Sequence, residues 1–415
     1  MNWTTARLKD IAPSQASVRR FSPDESVWHL TLDQIESNTG QIVNKQIKPA
    51  GEAGNSTYVF DEENVLYSKL RPYLNKVVCP QETGIATTEL VPLKPRPEII
   101  DRDYLTYYLR SPDFVRFASA TVAGVKMPRI IMEKFWNHEL PLPPLTEQRR
   151  IVEILDQADA LSKQRAEADA KAARILPALF YQMFGDPLTN PLGWDTQPFG
   201  TVKGETGLVT DGDWILSENM DESGDVRLLQ LADIGIGSFL DKSRKFITEE
   251  KAKELGCTDV VSGDVLVSRM ADPIGRACIV PELNQRAITA VDVTIVRPDR
   301  GLALPEYVVS LCNTAFFLGK AKAAASGTTR GRITRKNLER ILVPLPPLTV
   351  QTEFVRRYRE LEKTMADTAR SNQILITIFD SLMHRAFSGI LTAKWREAHM
   401  NELLQEMEHQ ARALG

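Results

Sequence analysis

Between residues 145 and 185 one stripe recurs every three or four positions. It runs Ile151, Ile154, Ala158, Leu161, Arg165, Ala168, Ala172, Ile175 and Leu179, apolar except for Arg165. A stripe so narrow and so long predicts a helix seamed to another helix rather than laid on a globular core. Pro143-Pro144 keeps the preceding chain extended. Thr146 is the expected N-cap, and Glu147 puts negative charge on the first turn. Gly185 followed by Pro187 ends the helix. At about 1.5 Å per residue, roughly 39 residues make a rod of about 58 Å.

The pattern returns in the same chain. PLPPLT opens residues 141–146 and again 344–349, an offset of about 203 residues. The second stripe is Phe354, Tyr358, Leu361, Met365, Thr368, Asn372, Leu375, Phe379 and Leu382. The two are expected to pair antiparallel, with Arg165 and Asn372 as polar positions that fix register. Pro177 has no counterpart, Asp380 standing there, so the first helix should kink or break near it.

The repeat extends into the segments ahead of each helix. Trp3, Leu8 and Ile11 are echoed by Trp194, Phe199 and Val202. Leu30 and Leu32 resemble Leu229 and Leu231. NVLYSKL, with Lys69 near its end, matches DVLVSRM, with Arg269 in the same place, and both alternate as strands do. Glu89-Leu90 matches Asp292-Val293. Tyr104 matches Tyr307, Phe114 matches Phe317, and Gly124, Arg129 and Ile130 match Gly327, Arg332 and Ile333. Between these motifs the sequences diverge, as expected of related modules that bind different things. Duplication followed by drift gives the same picture. The expected division is 1–145, a first module; 146–187, a long helix; 188–348, a second module; 349–389, a second helix; and 390–415, a helical tail with Thr392 as its cap.

Composition narrows the function. The chain has 415 residues, 43% hydrophobic and 25% charged, which suits two or three soluble domains. No apolar run reaches the roughly 18 residues of a membrane span. Residues 1–10 lack a signal-peptide core. Cys79, Cys257, Cys278 and Cys312 have no metal-type spacing and read as buried thiols, so a cytoplasmic protein is expected. The chain carries no GxxxxGK[ST], no HExxH, no paired CxxC and no Asn-Pro-Pro-aromatic run, so no catalytic residue is assigned. With a net charge of −3, nucleic-acid binding requires local concentration of positive charge.

Such concentration exists at matching places. GTTRGRITRKNLER carries Arg330, Arg332, Arg335 and Lys336, and its counterpart carries Lys126 and Arg129. The paired strands add Lys69, Arg71 and Lys76 in one half, and Arg269 and Arg276 in the other. Gly327 and Gly331 leave room for backbone N–H groups to meet a phosphate. Arginine is shaped to read guanine through two hydrogen bonds. A basic surface that merely balances nearby acids remains the competing reading.

PLPPLTEQRRIV with its repeat, the two helices, and AFSGILTAKWRE near the end resemble the DNA-specificity subunit of type I restriction–modification systems. The resemblance spans nearly the whole chain. It implies an α+β fold: two similar mixed α/β target-recognition domains, separated by two long antiparallel coiled-coil helices, in pseudo-two-fold arrangement. It implies a non-catalytic subunit whose partners are double-stranded DNA, two modification (methyltransferase) subunits and restriction (translocase/nuclease) subunits. S-adenosylmethionine, ATP and Mg would then belong to those partners. The alternative reading is a coiled-coil scaffold with two protein-binding modules and no DNA.

Overall fold

The computed structural model describes residues 3–270, 272–327 and 331–414. The side chains at 369 and 372 lie outside that description, and Asn372, one of the two expected polar stripe positions, is among them. Arg330, Thr328 and Thr329 also lie outside it. By contact the chain forms two compact units, Met1–Ala166 with Arg370–Gly415, and Glu167–Ala369. The sequence divides the chain by element; the contacts divide each long helix between two cores.

In the first unit, Ser26–Leu30 runs parallel to Gly84–Thr87, flanked by Ile47–Pro49 and Thr57–Phe60. A second sheet centres on Val65–Ser68, between Val77–Val78 and Leu90–Leu93. The second unit repeats this plan. Val226–Leu229 runs parallel to Ala287–Thr289, with Lys245–Ile247 on its other edge. Val265–Ser268 lies between Ala277–Ile279 and Val293–Arg297. All four residues of both central strands, Val65–Ser68 and Val265–Ser268, are buried. Their apolar runs are therefore covered on both faces.

Among the helices that line the cores or carry the seam are α1 (Arg102–Arg110), α2 (Leu145–Ala172), α3 (Ile175–Phe184), α4 (Pro305–Cys312), α5 (Leu348–Phe387) and α6 (Met400–Leu414). The first long helix does break, between Ala172 and Ile175. Pro177 has no N–H to donate to the carbonyl four residues back, and its ring crowds that carbonyl, so a new helix begins just ahead of it. In the first unit, Ile151 and Leu155 of α2 share a core with Met383 and Ala386 of α5. In the second, Phe180 and Phe184 of α3 share a core with Phe354 and Tyr358 of α5. Phe184 meets Phe354 at 5.1 Å and Tyr307 at 4.9 Å between ring centroids. Each buried phenyl ring of this kind stabilises by about 1.5–3 kcal/mol.

The stripe on α5 is buried or half-buried at Phe354, Tyr358, Leu361 and Met365, as its spacing predicts. The stripe on α2 departs from expectation in the middle. Leu161 is 60% exposed and Ile175 45% exposed, while Gln148 is fully buried. A 3.6-residue helix drifts against a fixed repeat, and here the inward line shifts from Leu161 to Ser162. Arg165 is half-buried, in keeping with a polar seam position.

The PLPPLT motif closes a lock in each unit. Gln148 donates to the carbonyls of Pro143 (2.8 Å) and Ile99 (3.0 Å) and accepts from the Asp101 N–H (2.8 Å). Gln351 does the same with Pro346 (2.8 Å), Leu302 (3.1 Å) and the Leu304 N–H (2.9 Å). Tyr104 donates to the Pro141 carbonyl at 3.0 Å, and Tyr307 to that of Pro344 at 2.5 Å. These bonds give partners to backbone groups at the strand end and in the turns packed against the helix start. Thr146 is not the N-cap, since Leu145 is already helical; its N–H instead donates to Glu406 at 2.9 Å. Thr392 makes no side-chain cap either; its hydroxyl donates to Glu147.

Candidate nucleic-acid interface

Each central strand delivers its next residue to the same three-way junction. The Lys69 N–H donates to the Glu89 carbonyl at 3.0 Å, and its carbonyl accepts from Ile130 at 2.9 Å. Leu70 bridges Arg129 antiparallel. In the second unit, the Arg269 N–H donates to Asp292 at 2.9 Å, its carbonyl accepts from Ile333 at 3.0 Å, and Met270 bridges Arg332. Gly124 and Gly327 take positive φ, 92° and 108°, at matching turns. At Gly124 an added Cβ would lie 3.2 Å from the Met127 carbonyl oxygen. Glycine therefore fits both the backbone region and the space.

Arg129 and Arg332 occupy the same place. Arg129 forks onto the Glu89 carboxylate at 2.7 and 3.1 Å; Arg332 stands 3.1 Å from Asp292. The hydrogen bond from Arg129, and then its charge, hold the Glu89 carboxyl below the ordinary carboxylate range despite partial desolvation. Around Arg269 the second unit gathers Asp211, Arg332, Asp292 and Arg335. Burial pulls the Arg269 pKa down, yet an arginine there stays charged.

The structure separates the basic residues singled out in the sequence into two groups. Arg71, Lys126 and Lys336 are exposed, and Lys69 is half-exposed. Arg71 adopts a left-handed backbone, φ 49°, and its N–H donates to Pro128 at 2.7 Å, which anchors it beside the turn carrying Lys126. Others are engaged internally. Arg269 is 4% exposed, pairs with Asp211 at 3.3 Å and donates to the Val291 carbonyl. Arg276 donates to the carbonyls of Ile234 (2.8 Å) and Leu231 (3.0 Å), and Lys76 to that of Leu32 (2.6 Å). Lys76 and Arg276 tie the turns that follow Ser26–Leu30 and Val226–Leu229 to the neighbouring sheets, and Arg269 ties its strand to the neighbouring loop. Arg335 is shared between the Val209 carbonyl, 3.2 Å, and Glu339, 3.3 Å.

The free cations have apolar companions that charge alone does not point to. Val125 is 99% exposed and Met127 47%, either side of Lys126, and Tyr73 is 54% exposed two residues after Arg71. Apolar and aromatic side chains standing in solvent among cations suit contact with bases as well as phosphates. The signal in the sequence is an apolar pair in a Gly-to-Pro turn, where burial is not expected.

A duplicated α+β module followed each time by a long helix defines the architectural class. Residues 1–168 match the family described as type I restriction modification DNA specificity domain. The chain is similar to the type I restriction enzyme EcoDI specificity subunit of Escherichia coli, 26% identical over 208 residues, 49% of this chain and 46% of that one. It is also similar to the StySPI specificity subunit of Salmonella potsdam, 27% identical over 330 residues, 72% of this chain and 68% of that one. The matched stretches thus span from about half to two thirds of these relatives. A solved chain from work on complex assembly and conformational transition of the type I R-M system shares the fold. It is 20% identical, with 94% of this chain and 98% of that one covered and a TM-score of 0.62. The first module thus matches a type I DNA specificity domain, and the longer chain is similar to specificity subunits of type I restriction enzymes. Among the described residues, no helix is long and apolar enough to cross a membrane.

Proposed function

We propose that this chain is the sequence-specific DNA-binding subunit of a type I restriction–modification complex. Each module reads one half of a bipartite, asymmetric target, and the long helices set the gap and carry the modification subunits. The chain itself is non-catalytic. S-adenosylmethionine, ATP and Mg are used by the methyltransferase and restriction subunits, and the complex works in the cytoplasm on double-stranded DNA. Arg71, Lys126, Lys336 and Lys69 contact the duplex, with Arg129 and Arg332 presented beside them by their carboxylate partners.

The observation that carries this reading is the repeated junction. Both units keep the same buried strand, the same hydrogen bonds at Lys69 and Arg269, and the same arginine–carboxylate pair. Around that constant frame the exposed segments differ, as two readers of different half-sites require. Specificity in such a design lies in the variable surface, and the shared frame supplies orientation. The test is methylation-site sequencing of DNA from a host carrying the chain with its methyltransferase partner. One split motif, lost when the chain is deleted, is the expected result. Methylation that persists at the same sites without the chain overturns the assignment.

A further inference from the structure

The two units differ sharply at one equivalent place. In the first, Arg110 at the end of α1 reaches across from the turn at Asn38 to α2. It donates to the Asn38 carbonyl at 3.1 Å and stands 3.7 Å from the Asp159 carboxylate. Its guanidinium lies 5.7 Å from the centre of the Tyr107 ring, whose hydroxyl donates to Asp156 at 2.7 Å. The Arg110 and Asp159 side chains are only 10% and 15% exposed, so the space is filled.

In the second unit the repeat places Asn313 for Arg110, Ser310 for Tyr107, Gly237 for Asn38 and Glu362 for Asp159. Asn38 and Gly237 take the same left-handed turn, φ 68° and 77°. Asn313 is short and turns to the sheet, where it bonds Ala277 through both its amide and its oxygen. What remains is a cavity of about 460 Å³ between the Gly237 turn, α3, α4 and α5. That volume lies within the roughly 300–1,000 Å³ of ordinary ligand sites. Leu176, Phe180, Val309 and Tyr358 give it apolar walls.

Two residues that carry acceptors, Glu362 and Gly237, line this space. Glu362, exposed at the rim, has no ion-pair partner among the described residues; Arg359, one turn earlier, is drawn to Glu306 at 2.7 Å. The Gly237 carbonyl accepts no backbone hydrogen bond among the described residues. Partial desolvation, and then Glu306, push the Glu362 carboxyl above its ordinary range, and Arg359 offsets this only in part.

We propose that this cavity is the docking site for an arginine on a helix of a partner chain, with an aromatic residue three positions before it. The first unit shows the occupied form with its own Arg110 and Tyr107, themselves three apart on α1. A guanidinium spans a carboxylate and a carbonyl through its planar fork, which an ammonium cannot do. The aromatic ring takes the space that Ser310 leaves. The site is independent of the DNA-reading assignment.

The test uses the purified full chain and a labelled helical peptide with tyrosine and arginine three residues apart, followed by fluorescence anisotropy at low salt. Saturable binding is expected. Replacing the peptide arginine by citrulline should weaken it about tenfold, and Glu362→Gln in the chain by a similar factor, since each removes one charge of the pair. Lysine in place of arginine should recover only part of the loss. Ser310→Tyr with Asn313→Arg should close the cavity and abolish binding. Should that double variant fail to fold by circular dichroism, Glu362→Gln and citrulline still decide. No saturable binding, or equal affinity with Glu362→Gln, overturns the proposal. The test contains neither DNA nor methyltransferase, so its failure leaves the DNA assignment untouched.

Discussion

Arg396 brings its guanidinium to the fully buried carboxylate of Glu147, Nε to Oε1 at 2.8 Å, across 249 residues of sequence. The same carboxylate accepts from Trp3 Nε1 at 3.0 Å and from the Thr392 hydroxyl at 2.6 Å. Trp3 also lies under the guanidinium, 4.7 Å from its ring centre. The beginning of the chain, the start of α2 and the tail are joined at one charge. In the second unit the position equivalent to Glu147 is Val350, which carries no charge to pair.

Arg396→Ala leaves a buried carboxylate without its cation. Breaking a buried pair from one side costs roughly 3–5 kcal/mol. Chemical unfolding should show that loss, and limited proteolysis should cut residues 390–415 free. A variant as stable and as protease-resistant as the parent would show that the pair does not hold the tail.

Gln148 and Gln351 make equivalent bonds but are not equally indispensable. Gln410 of α6 also donates to the Ile99 and Pro143 carbonyls, at 2.9 and 3.1 Å. Gln148→Leu therefore orphans chiefly the Asp101 N–H, whereas Gln351→Leu orphans one N–H and two carbonyls. Each buried orphan costs about 1–3 kcal/mol. Gln351→Leu should be the more destabilising, with hydrogen exchange rising around Leu302 and Leu304. Equal losses would mean that Gln410 gives no support.

Much of this architecture is legible in the sequence because it rests on local signals. Periodicity places α2 and α5, Pro177 the break between α2 and α3, and the recurring PLPPLT the duplication. What is not legible depends on partners far along the chain. The buried role of Glu147 needs Thr392 and Arg396; read locally, it is one more acidic residue on a first turn. Arg269 and Arg276 look like Lys126 in sequence, but Asp211 and the carbonyls of Val291, Leu231 and Ile234 absorb them. Charge is visible in a sequence, and which charges are already spent inside the fold is not.

The Glu89–Arg129 pair predicts an acid response. The Glu89 carboxyl is held below its ordinary value near 4.5, so it binds its proton less readily in the folded chain than in the unfolded one. The pair's contribution is fully present above that ordinary value and is lost as pH falls through the lower folded value. Thermal melts between pH 5 and about 3 should show a shallower decline for Glu89→Gln than for the parent. Identical pH slopes would rule out a coupled pair at this junction.

The free and the spent cations predict opposite phenotypes. Arg71 and Lys126 are exposed and hold no structural bond through their side chains among the described residues, so Arg71→Ala with Lys126→Ala should leave the melting temperature unchanged. If each neutralises one phosphate, the slope of log affinity against log salt for the assembled complex should fall by about 2, at about 0.9 per contact. Arg276→Ala should do the reverse. It removes donors to the Ile234 and Leu231 carbonyls and loosens the turn after Val226–Leu229 from the neighbouring sheet, so melting should drop while the salt slope stays near that of the parent. Filter binding of a specific duplex across a salt series, beside calorimetric melts of both variants, separates the cases. If Arg276→Ala instead flattens the salt slope with no loss of stability, its guanidinium faces DNA and the division into free and spent cations is wrong.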